Sequence, residues 1–397
     1  MAAIRAVRLA QAKLEREEPS PVDLWLLVPA LTLVGLGVAM VYSASIPSVA
    51  SQGESILLKL GMEILFVLFG LLGLAAAFRV KMEWLEEKAW ALLLATLALL
   101  VAVFFFPARN GAHSWIFIPH TPFSFQPSEL AKLVLVIVTA RYFCHFPQGL
   151  GDWRKAAPPF AVMLVVVGLV AVEPDMGTAA VTAMATMVYF HIAGARMRHL
   201  AAVAGMSLIP ASYMIWKHPY QLERILSFLA SLLGTDGAFG IKDVDLAGGY
   251  QKARSLIALG SGGLTGCGYC GSVEKYFYLP AAATDSILAV IGEELGMIAT
   301  WGVLAMFAIL VWRGMRVAGG APDRFSGLVA AGVTMVIGVQ AVLNIAVTTG
   351  SIPATGVTLP FVSYGGSSLL ISMMGVGLLM NVSRRCREAE AGSQLPG

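Results

Sequence analysis

Residues 285 to 312 read DSILAVIGEELGMIATWGVLAMFAILVW. From Gly296 onward the run carries no charge, and the whole stretch exceeds the about 20 helical residues that cross a bilayer core. Period-two alternation is absent, which argues against the roughly ten-residue alternating strands of a membrane barrel. The stretch is therefore expected to be a membrane helix. Its difficulty lies at the start, where Asp285, Glu293 and Glu294 sit among apolar residues. An ionised group at span depth costs about 2.5–3.5 kcal/mol on insertion scales, so each needs a partner or a water-filled cavity.

Similar runs recur along the chain. Of 397 residues 57% are hydrophobic and 13% charged, a balance outside the range of soluble domains. Ten spans are expected, at 23–44, 57–78, 88–106, 127–145, 157–172, 176–192, 198–216, 285–312, 325–348 and 364–382. The fifth and sixth are short and meet at Glu173, Pro174 and Asp175, as one broken hairpin would. The fold class is thus an all-α integral membrane protein: a polytopic domain over 23–382 between an N-terminal segment, 1–22, and a C-terminal tail, 383–397. Residues 1–21 lack the short apolar core and cleavage site of a secretory signal, so the first span is expected to direct insertion.

Lys and Arg set the orientation. One set of alternate segments holds Arg5 to Arg16, Arg79 to Lys88, Arg141 to Lys155, Arg196 and Arg198, Arg313 to Arg324 and Arg384 to Arg387, while the short loops of the other set hold only Arg109. The positive-inside rule places both termini in the cytoplasm. The net charge of +3 is then topological and gives no reason to expect nucleic acid.

The large outer loop, 217–284, lies between spans seven and eight and is too long for a plain connector. Within it, 220–233 has the spacing of a surface helix, 234–249 reads as linker, and 250–280 is Gly-rich backbone with aromatics. Arg224, Lys252, Arg254 and Lys275 supply cations, and glycine-freed N–H groups beside them suit a diphosphate cradle. Cys267 and Cys270 have the CxxC spacing but lack two further zinc ligands or a thioredoxin-like context, so they read as small turn residues; Cys144 and Cys386 lie on the other side. The glycines at 266, 268 and 271 match a dinucleotide fingerprint literally but follow no βαβ strand. No GxxxxGK[ST] is present, which argues against nucleotide-driven pumping.

Among the span charges, Glu129 and Lys132 stand three apart on one helix face, either as an internal ion pair or as the lining of a lipid head-group cavity. Glu63 reads as a structural or interfacial acid. Asp285 is at a helix mouth after Pro280 and three alanines. It is either a general base reachable from the outer leaflet or a first-turn acid offsetting the helix dipole. Glu293 and Glu294, eight and nine residues on, are expected roughly 12 Å deeper.

The motifs NGAHSWI at 110–116, FQPSELAKL at 125–133, EPDMGTA at 173–179, SLIALGSGGLTG at 255–266, GSVEKYFYLPAAATDSILAVIGEELG at 271–296 and PATGVTLPFVSYGGSSLL at 353–370 occur in one order across nearly the whole chain. In these the chain resembles the SEDS family (shape, elongation, division and sporulation), nearer its division members than its elongation members. The resemblance implies a ten-span peptidoglycan glycosyltransferase that joins lipid II units with inversion and releases undecaprenyl diphosphate. Asp285 occupies the position of the family's base, and Glu129, Lys132, Arg224 and Lys275 fall where substrate-cavity residues are expected. A divalent cation, Mg2+ or Mn2+, near the departing diphosphate is implied, as are a class B penicillin-binding protein as transpeptidase partner, other division proteins and a place in the bacterial inner membrane at the septum. The pattern LPExHTDF is here LPAAATDS, so Ala281, Ala283 and Ser286 replace an acid, a histidine and an aromatic. Ser114 replaces the arginine of NGAxRW, and Thr355 stands where many division members have lysine. The same bundle would also suit a lipid II flippase or a non-enzymatic scaffold of division partners.

Overall fold

The computed structural model describes residues 22–53, 55–107, 113–117, 124–146, 152–217, 222–226, 228–229 and 247–393. Its helices are α1 (Leu24–Gln52), α2 (Ile56–Arg79), α3 (Met82–Ala102), α4 (Pro127–His145), α5 (Trp153–Val172), α6 (Met176–Ile192), α7 (Met197–Lys217), α8 (Ala247–Ser261), α9 (Ile287–Gly319), α10 (Arg324–Thr348) and α11 (Gly366–Ser393). A two-residue antiparallel ladder, β1 (Ile116–Phe117) with β2 (Ser124–Phe125), precedes α4. Ten of the helices coincide with the expected spans. Eight are long and apolar enough to cross a membrane, α6 is shorter, and α4 is buried along nearly its whole length.

Aspartates start four of these helices. Asp23, Asp152, Asp175 and Asp323 each accept a backbone N–H of the first turn of α1, α5, α6 and α10, satisfying a donor that the helix leaves unpaired. Pro127 opens α4, where its missing N–H costs nothing. Small residues set the closest approaches: a Cβ on Gly177 of α6 would meet the Thr355 carbonyl oxygen at 2.1 Å.

Charges tie the bundle together at the end expected to be cytoplasmic. Asp23 takes Arg313 of α9 at 2.9 Å and Arg387 of α11 at 3.3 Å, and Ser383 donates to it at 2.6 Å. Arg385 of α11 reaches both Glu83 of α3 and Asp323.

Two expectations are corrected. Helix α9 is broken at Gly296, whose φ of 78° and ψ of −176° divide a buried first segment, Ile287 to Leu295, from the continuous helix beyond it. The segment is tied to α1 through Ser43, which bonds Glu294, and to α10 through Asn344, which bonds the Asp285 carbonyl. Second, residues 247–261 of the expected linker and Gly-rich stretch form α8. Helix α11 continues to Ser393, so residues 383–393 of the expected C-terminal tail are helical. Of the surface helix expected at 220–233, residues 222–226 are helical; the stretch 230–246, Arg109 and residues 1–21 lie outside the described residues.

Candidate active site

Asp285 sits in the turn that leads into α9, 6% exposed. Its Oδ1 accepts the Thr284 hydroxyl at 3.1 Å and its Oδ2 accepts Gln251 Nε2 of α8 at 3.1 Å. The backbone is pinned as well. Asn344 Nδ2 donates to the Asp285 carbonyl at 2.9 Å and to that of Val357 at 2.7 Å. Ser363 donates to the Thr284 carbonyl at 2.6 Å, and Tyr364 N–H to that of Ala283 at 2.8 Å. The carboxyl is thus held by Gln251 of α8 and by Thr284, while α10 and the segment before α11 pin the backbone that carries it.

Burial pushes the Asp285 carboxyl up, and the hydrogen bonds from Gln251 and Thr284 with the charge of Arg224 reduce that rise without cancelling it. A carboxyl above its ordinary range is better matched to proton abstraction near neutral pH. Beside it is a cleft lined by Arg224, Gln251, Lys252, Ser255, Pro353 and Ala354. Arg224 donates to the Ala354 carbonyl at 3.0 Å, and Lys252 lies over the Phe228 ring. Gln251 thus links the acid to a cleft that two cations line.

Of the other residues expected here, Glu129 and Lys132 form a buried pair at 2.9 Å, and Lys132 Nζ also donates to Gln340 of α10 at 2.6 Å. Gln340 lies one helical turn from Asn344 toward the basic end, so the pair braces the layer beneath Asp285 rather than touching it. It shares its own cleft with Gln340 and Ser372.

Lys275 is elsewhere. Its ammonium is enclosed and bonds Glu294 at 2.8 Å, Ser43 at 2.9 Å and the Cys270 carbonyl at 2.8 Å, with no bond to Asp285 or Gln251. The backbone cradle is likewise spoken for. The N–H groups of Cys270 and Ser272 donate to Glu294, and those of Val273 and Glu274 to Glu293. This part of the Gly-rich loop does bind anions through its backbone, as its composition predicts, but the anions are the protein's own carboxylates. Arg254 is engaged by Glu274 and the Tyr250 and Tyr278 rings. All four cysteines are free, and among the described residues no three His, Cys, Asp or Glu side chains are grouped to hold a metal.

Gln251 and Asn344 escaped the sequence reading. An amide in the apolar run of α10 is itself a signal, since such groups are costly unless bonded. Gln251 gave none, because α8 is disguised by glycines at its start.

A model of the family described as cell cycle protein, comprising FtsW, RodA and SpoVE, matches residues 24–388. Stage V sporulation protein E of Bacillus subtilis (strain 168) is 35% identical over 371 residues, 92% of this chain and 98% of that protein. The probable peptidoglycan glycosyltransferase FtsW of Halomonas elongata is 37% identical over 377 residues, 94% of this chain and 93% of that protein. Among solved structures, a chain from work on structural coordination of polymerization and crosslinking by a peptidoglycan synthase complex is similar at a TM-score of 0.71 and 27% identity, over 92% of this chain and 98% of that one. The rod shape determining protein RodA of Thermus thermophilus is similar at 0.63 and 28%, over 91% and 97%.

Proposed function

The chain belongs to the FtsW, RodA and SpoVE family of cell cycle proteins, and from that premise we propose that it is a peptidoglycan glycosyltransferase with Asp285 as its general base. The observation that carries this reading is a buried carboxyl bonded to Thr284 and to Gln251, which itself lines a cleft with two cations. Lipid II is the substrate. The 4-hydroxyl of one unit's terminal GlcNAc attacks C1 of the MurNAc that ends the growing chain, and Asp285 takes the hydroxyl proton as the new bond forms. The C1–O bond to the diphosphate breaks on the opposite face, so the configuration inverts. Arg224 and Lys252 meet the charge gathering on undecaprenyl diphosphate, the kind of electrostatic stabilisation that dominates where charge develops in a dry site.

The donor set does not fit a divalent cation held by the protein alone. Among the described residues Asp285 stands without a second carboxylate, and cations line the cleft that a metal would share. The setting is the bacterial inner membrane at the division septum, with a class B penicillin-binding protein cross-linking the strands, as the peptidoglycan synthase resemblance supports.

Purified protein with its transpeptidase and labelled lipid II is expected to make glycan strands, and Asp285→Asn to lose them by at least about 100-fold, the scale of a removed general base. Polymerisation by the variant at the normal rate would overturn the assignment.

A further inference from the structure

Ser286 stands next to the proposed base, 1% exposed, and its hydroxyl has one direction to point. It donates to the Pro280 carbonyl at 3.0 Å, and a carbonyl only accepts, so the serine hydrogen is committed there. What remains on Ser286 Oγ is acceptor capacity, and Gln251 Nε2 fills it at 3.0 Å. The second N–H of the same amide donates to Asp285 Oδ2 at 3.1 Å.

A glutamine amide is nearly symmetric in shape, and its orientation is set by its neighbours. Here a flip would bring the amide oxygen against the serine Oγ, which has no hydrogen left for it, and against a carboxylate oxygen. The relay Pro280, Ser286, Gln251, Asp285 therefore holds the amide with both hydrogens toward the acid side. We infer that Ser286 is a positioning residue for the glycosyl transfer, locking the Gln251 amide as a hydrogen-bond donor to the ionised form of Asp285. This rests on the reading of Asp285 as the base. The position that looked like a lost aromatic contact carries an orienting hydroxyl instead.

The charged group acting on Asp285 is Arg224, from the segment 222–226; α8 adds Lys252 to the shared cleft, while α10 presents the neutral Asn344 and the segment before α11 the neutral Ser363. Loss of the Gln251 donor thus weakens the ionised carboxylate, leaving it the Thr284 hydroxyl as its side-chain donor among the described residues.

The test is a set of four proteins, wild type, Ser286→Ala, Gln251→Leu and the double variant, assayed for lipid II polymerisation from about pH 5 to 9. In parallel, infrared difference spectra of protein with labelled aspartate, read against Asp285→Asn, follow ionisation of that carboxyl. Ser286→Ala is expected to move the acid limb of kcat/KM, and the Asp285 titration with it, up by about one pH unit and to lower kcat about tenfold with little change in KM. Ser286→Thr, which keeps the hydroxyl, should restore the limb. Because the serine acts through the amide, Ser286→Ala should change nothing further in the Gln251→Leu background. An unmoved titration, or additive effects in the double variant, would overturn the inference. A spectral shift without movement of the kinetic limb would uphold the relay and sink the assignment of Asp285 as base.

Discussion

Glu173, between α5 and α6, has no part in the proposed chemistry, yet its burial makes it sensitive to pH. The residue is 0% exposed, and neither carboxylate oxygen has a hydrogen-bond partner among the described residues. The Ser114 hydroxyl, standing where the family pattern has arginine, reaches only its backbone carbonyl, at 3.4 Å. Burial, with Asp175 adding like charge, pushes the Glu173 carboxyl from an ordinary 4.5 up to about 8. An unfolded chain ionises this group near 4.5 while the folded one keeps its proton to about 8. Stability from it is therefore complete below 4.5 and drains away as pH rises through 8. Glu173→Gln removes the ionisation. Its thermal midpoint in detergent is expected to exceed wild type at about pH 8.5 and to lose that advantage toward about pH 5; a difference that ignores pH would refute the buried neutral acid. Asp285 was legible as a residue because an acid at a helix mouth is conspicuous in apolar sequence. Its partners were not, since hydrogen bonds from positions 251 and 344 depend on packing that no local spacing reports.

Between the turn that follows α8 and the start of α9, contact is made backbone to backbone. A Cβ on Gly262 would meet the Gly292 carbonyl oxygen at 1.9 Å, and one on Gly266 would meet that of Glu294 at 2.1 Å. Glu293 and Glu294 then draw residues 270–274 onto the same segment, and Lys275 closes over Glu294 with both side chains fully enclosed. Removing one partner of such a pair leaves a buried charge, at a cost of about 3–5 kcal/mol. Glu294→Leu is therefore expected to lower the thermal midpoint sharply and to weaken polymerisation, because the segment that carries Asp285 loses its far anchor. Adding Lys275→Met should recover part of the midpoint, and a double variant no more stable than the single one would show that the pair is not coupled. The sequence pattern showed anions and a Gly-rich backbone close together in the chain. It did not show that each is the other's ligand, because the break at Gly296, with its φ of 78° and its backbone against Leu264 and Gly266, leaves no mark in the apolar run itself.

At the scale of the whole molecule, the ten apolar runs were readable because roughly 20 uncharged residues admit one solution in lipid, a helix with its backbone bonds satisfied internally. What the runs leave open is how the first helix finds the last ones, and here charge decides. Asp23 caps α1 and also binds Arg313 of α9 and Ser383 and Arg387 of α11, so one side chain, 1% exposed, ties the two ends of the domain to the helix that continues from the site. Burial raises its carboxyl, but hydrogen bonds from Arg313 and Ser383 and the two guanidinium charges outweigh that and hold it below the ordinary 3.8. A depressed acid stabilises the fold above its unfolded value and loses that contribution as pH falls through the folded one. Asp23→Asn should thus cost about 1.5–3 kcal/mol near neutral pH, the worth of hydrogen bonds to a charged group. The gap from wild type should narrow as the pH is lowered below 3.8, and a gap that stays constant into acid would mean that the carboxylate charge contributes nothing to closing the bundle. Because the tie lies at the end opposite Asp285, the variant is expected to lower the thermal midpoint while the pH dependence of polymerisation keeps its wild-type position.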